Sequence, residues 1–91
     1  MAEIEVIPLG RDLYRVRVTE ADGTSEHQVT ATPADVETYG AGAEPENLLV
    51  ESFRFLLERE PRQSILTRFA LPAIARYFPE YPSEIRRRLR T

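Results

Sequence analysis

The sequence predicts an α+β fold: a three-stranded antiparallel β-meander in the order 1-2-3, followed by a central buried helix and short C-terminal helices on one face. Three observations carry this expectation. Apolar and polar residues alternate with period two between Glu3 and Thr32, a dense apolar run fills Leu48 to Leu57, and prolines cut the remaining chain into short pieces. The expected organisation is one domain over 1–91, with the meander at 3–32, a short helix at 33–39, a central helix at 46–60 and short helical segments at 64–90.

In the middle strand Tyr14, Val16 and Val18 alternate with Arg15, Arg17 and Thr19, so one face is buried and the other solvated. Asp22-Gly23 signals a two-residue type I′ turn, which needs positive φ at both central residues. With that turn, Val18 faces His27, Val16 faces Val29 and Tyr14 faces Ala31, while Arg15 and Arg17 share the outer face with Glu26, Gln28 and Thr30. The first strand, Glu3 to Pro8, fits beside the middle one when Ile4 meets Val18 and Val6 meets Val16. That pairing leaves Gly10-Arg11-Asp12 as a three-residue loop. Pro8 cannot donate to a ladder, so this strand belongs at an edge.

Thr32 followed by Pro33 reads as an N-cap and a first helical residue, with Gly40 as the stop. Pro45 opens the central helix and Pro61 halts it. Its apolar residues cover well over half of a helical wheel, which predicts a mostly buried element. Only a narrow polar stripe of Asn47, Glu51, Arg54 and Glu58 remains, with Arg54 in reach of either glutamate. Beyond Pro61, Ser64 is expected to cap a segment bearing Ile65, Leu66 and Phe69. A second piece runs from Leu71 to Phe78, and a third from Pro82 to Arg90 with Ile85 and Leu89 one turn apart. Pieces this short are stable only when packed on the rest.

With 42% hydrophobic and 30% charged residues, the chain lies in the globular class and away from compositions that stay disordered. The absence of cysteine excludes disulfides, thiolate metal sites and thiol nucleophiles. The acidic first residues lack the basic and apolar regions of a signal peptide, and no apolar run suffices for a membrane span, so a cytoplasmic protein without membrane contact is expected. Every basic residue is arginine. Residues 1–51 hold three Arg against eleven acidic residues, and residues 52–91 nine Arg against four Glu. Such asymmetry marks a nucleic-acid surface, a self-complementary assembly, or two halves that face each other on folding.

The segment from Ser52 to Pro61, then Ser64-Ile65-Leu66 and Arg76-Tyr77-Phe78-Pro79-Glu80-Tyr81-Pro82, together with Glu26 to Thr30, resembles a group of small uncharacterised bacterial proteins. The resemblance spans most of the chain. It implies a stand-alone bacterial domain and carries no activity, cofactor or site residue.

Among candidate sites, His27 is the only histidine and the one side chain that ordinarily titrates near neutrality. Its expected place on the inward face, without a nucleophile or orienting carboxylate beside it, favours a packing role over catalysis. One histidine and no cysteine would leave a transition metal only carboxylates to complete its site. Glu51 and Glu58 form a conceivable carboxylate pair, but Arg54 between them fits a neutralised solvated stripe. Gly40 and Gly42 lack the spacing and the lysine of a phosphate loop. No catalytic residue, metal or cofactor is expected.

Two segments remain. Arg76, Tyr77 and Tyr81, held between prolines, have the composition of an interface hot spot, set against the alternative that the aromatics plug one end of the core. Arg86, Arg87, Arg88 and Arg90 could contact nucleic acid, although cations in a last helical turn also complement the helix dipole. The leading expectation is a non-enzymatic protein-interaction or small regulatory module whose partner is a protein, itself or another. The alternative is a nucleic-acid-associated regulator using the Arg-rich C-terminal helix.

Overall fold

The computed structural model describes residues 2–90. An α+β architecture is present, and its sheet has four strands in the order β1-β2-β3-β4: β1 (Glu3–Gly10), β2 (Leu13–Glu20), β3 (Gly23–Thr30) and β4 (Arg68–Ala70). The first three form the antiparallel meander, whereas β4 runs parallel to β3. Four helices complete the chain: α1 (Pro33–Gly40), α2 (Pro45–Leu57), α3 (Ala73–Tyr77) and α4 (Tyr81–Leu89).

The β1–β2 register is as expected, with Ile4 opposite Val18 and Val6 opposite Val16. The loop differs. Gly10 pairs with Leu13, so the connection is only Arg11-Asp12, with Asp12 left-handed at φ 60°; a register shift between Pro8 and Gly10 absorbs the extra residue at Leu9. The second hairpin is a correction to the sequence reading. Its turn is Ala21-Asp22 with Glu20 opposite Gly23, which sets Val18 against Ser25, Val16 against His27 and Tyr14 against Val29. A slip of two residues keeps every side chain on its expected face. Neither turn residue has positive φ; Gly23, just beyond, takes φ 143°. The cause is tertiary. Arg62 is only 7% exposed, pairs with Glu20 at 3.1 Å and Asp22 at 3.3 Å, and lies where a Cβ on Gly23 would stand, at 2.8 Å.

Thr32 caps α1 as expected, and Asp35 completes a capping box by accepting from the Thr32 backbone N–H. The central helix ends at Leu57, short of the expected Glu60, because a residue preceding proline is driven out of helical geometry and the turn before Pro61 unwinds with it. Leu48, Leu49, Phe53 and Leu56 are buried in one core with Val16, Val18 and Val29 of the sheet, and Phe55 packs on Phe78 and Tyr81. Burying each such side chain contributes about 1.5–3 kcal/mol. On the opposite face Arg17 bridges Glu5 and Glu26 across three strands, in solvent.

The expected helix around Ile65, Leu66 and Phe69 is the second correction. Arg62–Ser64 forms one 3-10 turn and the chain then extends, with Phe69 opposite Val29 in the parallel ladder. Pro72 favours extended backbone just before it, and the Gln28 and Leu71 amides close the ladder on the carbonyls of Thr67 and Thr30.

Candidate functional site

His27 is 3% exposed, on the helix-facing side of β3, with its ring centroid 5.3 Å from that of Phe53. Its Nδ1 lies 2.9 Å from the carbonyl oxygen of Leu66 and its Nε2 2.9 Å from the Ser25 hydroxyl. A carbonyl only accepts, so Nδ1 carries a hydrogen; in the neutral ring Nε2 then accepts from Ser25 Oγ. No hydroxyl was expected beside His27, so Ser25 was missed, although two residues apart on a strand means the same face. A hydroxyl, an imidazole and an acceptor in series resemble a nucleophile relay, but a backbone carbonyl replaces the orienting carboxylate. The cleft reaching His27 is walled by Arg15, Glu26, Gln28, Thr67 and Arg68, with Ser25 outside it. The series ties the extended chain at Leu66 to β3.

That tie shapes a neighbouring surface. Leu66, held by its carbonyl, is 48% exposed and Tyr77 of α3 is 68% exposed, and both line one pocket of about 200 Å³. Ile65, Phe69, Ala73, Ile74 and Phe78 form an apolar floor, with Glu60 and Ser64 as polar lining. Among the described residues, the large hydrophobic side chains with the greatest exposure are Leu9, Leu66 and Tyr77, so two of the three frame one groove. The exposed Arg76 adjoins it on α3.

Of the expected partner residues Arg76, Tyr77 and Tyr81, the first two face solvent and the third does not. Tyr81 is fully buried, edge-on to Phe55, and its hydroxyl lies 2.7 Å from Ser52 Oγ. Ser52 spends its single hydrogen on the Leu48 carbonyl, so the Tyr81 hydroxyl is the donor to Ser52. Tyr81 precedes Ile85 by four residues and shares its buried face, which removes it from any partner surface.

The C-terminal arginines are largely engaged within the molecule. Arg86 donates to the Thr38 carbonyl, Arg87 to both oxygens of Glu84, and Arg88 to Glu58. The hydrogen bond from Arg88 is the main cause holding the Glu58 carboxyl below its ordinary value. Arg90 forms no ion pair among the described residues. Glu51 binds Arg54 while Glu58 turns to Arg88, so those two carboxylates do not act together. No group of three or more metal-ligating side chains occurs among the described residues, and no described helix is long and apolar enough to cross a membrane. No protein family, curated protein or solved structure matches this chain.

Proposed function

We propose that the protein is a non-enzymatic interaction module that holds a large apolar side chain of a partner protein in the groove between Leu66 and Tyr77. The observation that carries this reading is the exposure of those two side chains around a shared apolar floor. Water held against such a surface is released when a partner covers it, and exposed aromatics beside arginine are the usual anchors of protein interfaces. On this reading Arg76 and Tyr77 belong to the partner-facing surface, and Leu66 takes the place of Tyr81.

The nucleic-acid alternative draws less support, because binding phosphates through Arg87 and Arg88 requires breaking their pairs with Glu84 and Glu58. The test is selection of binders from a random displayed-peptide library, followed by backbone chemical-shift mapping. The reading requires selected peptides to perturb residues 65–78 and to lose binding in both Leu66→Ser and Tyr77→Ser. Peptides that map elsewhere, or selection that yields none, would overturn it.

A further inference from the structure

We infer that the partner segment binds as an extended strand added to the free edge of β4, and that it is acidic on one side and apolar on the other. This rests on the groove being an interaction site and adds the conformation and charge of its occupant.

The parallel ladder sets which backbone groups are available. Thr67 O accepts from Gln28 and Leu71 N donates to Thr30, so the odd-numbered residues of this stretch bond inward to β3. Backbone groups alternate sides along a strand, so the N–H and C=O of Arg68 and of Ala70 point away from the sheet. Both residues are exposed. The other edge of the sheet is guarded: β1 carries Pro8, a bulge at Leu9 and the acidic Glu3 and Glu5, all devices that discourage pairing. On β4 the sole such device beyond brevity is the charge of Arg68, which repels basic strands and admits acidic ones.

Side-chain alternation then fixes the occupant. Phe69 points to the helix side and lines the groove, whereas Arg68 points to the open face of the sheet. A strand laid along this edge directs alternate residues the same two ways. Those on the helix side meet Phe69, Leu66 and Tyr77 and must be apolar. Those on the open side lie beside Arg68. Arg68 forms no ion pair among the described residues, while most of the other arginines are paired within the molecule. A guanidinium without an internal ion-pair partner on the open side of this edge favours carboxylates on that side of the incoming segment.

The probe is a fluorescein-labelled synthetic peptide alternating glutamate with valine and leucine, compared with a version bearing arginine for glutamate. Strand addition predicts binding of the acidic peptide and a loss of about tenfold or more in Arg68→Glu, with the arginine peptide then preferred. It also predicts slowed hydrogen exchange at the Arg68 and Ala70 amides in the complex. N-methylation of the peptide amides that face β4 should abolish binding, while methylation of the alternate amides should not. Equal binding of both methylated forms, with dependence on Leu66 and Tyr77 intact, would overturn strand addition yet leave the groove as an interaction site. Failure of the acidic peptide to bind, or equal binding of the arginine peptide, overturns the assigned partner chemistry. The groove reading itself then stands or falls on the library-selected peptides.

Discussion

The imidazole of His27 donates from Nδ1 to the carbonyl oxygen of Leu66, 2.9 Å away and 39 residues further along the chain. One ring thereby joins the meander to the wall of the groove, and it does so from a nearly dry position beside Phe53. His27 is a positioning residue. On the proposed reading it acts without touching the partner, by helping to fix where Leu66 stands.

Replacing His27 with alanine should cost about 2–4 kcal/mol in urea unfolding, from the cavity and the abandoned Leu66 carbonyl together. His27→Asn keeps a donor near Nδ1 and should recover about 1 kcal/mol of this. Exchange at the Gln28 amide, bonded to Thr67 O at 2.7 Å, reports locally on whether the strand has detached. Equal losses in the two variants would show that the ring acts by filling space alone.

The direction of the Tyr81–Ser52 hydrogen bond makes the two truncations unequal. Ser52→Ala strands a buried phenol and should cost about 1–3 kcal/mol, whereas Tyr81→Phe leaves Ser52 satisfied by Leu48 and should cost about 1 kcal/mol. The double variant should be more stable than the sum of the two losses implies, read from a thermal or urea cycle. Strict additivity would mean that the hydroxyls do not interact.

Burial, more than any other cause, raises the Tyr81 hydroxyl above its ordinary value, against a smaller lowering effect of the bond to Ser52. A raised phenol holds its proton more tightly in the folded chain than in the unfolded one. Its contribution to stability is therefore complete below the unfolded value of about 10 and declines as pH rises from there toward the folded value. Tyr81→Phe, though less stable at neutral pH, should flatten the loss of stability above about pH 10. Some slope should persist from Tyr14, which burial also raises. Parallel alkaline profiles of wild type and variant would contradict this assignment.

Gly23→Ala should destabilise by about 1–3 kcal/mol through the backbone alone, since φ 143° suits glycine and few other residues. The new Cβ also displaces Arg62 from Glu20 and Asp22. In an Arg62→Ala background only the backbone part should remain, so the penalty at Gly23 should shrink in a double-mutant cycle. An unchanged penalty would mean that Arg62 yields without cost.

What the sequence conveyed depended on distance along the chain. The Thr32-Pro33 helix start and the pairing of Ile4 with Val18 rest on near neighbours and on alternation, and both stand in the structure. The second turn was displaced because the deciding residue, Arg62, lies far from it in sequence. Strand β4 was illegible for a related reason: three residues carry no period, and Ile65, Leu66 and Phe69 happen to sit at helical spacing. Of the candidate site, Arg76 and Tyr77 were legible by composition as a cation and an aromatic near prolines, but their exposure was not, since the same residues fit a plug at one end of the core. Leu66 was not legible, because long-range bonds from His27 to its carbonyl and from Gln28 to Thr67 present it.

Because β4 joins β3 in parallel, the chain must pass through α1 and α2 before the fourth strand can dock. Contacts of such long sequence separation are costly to close and slow to form. The edge at Arg68 and Ala70 is therefore expected to assemble late, after the chain between the two strands has packed. A partner that reads this edge, as inferred above, would then distinguish finished molecules from those still maturing.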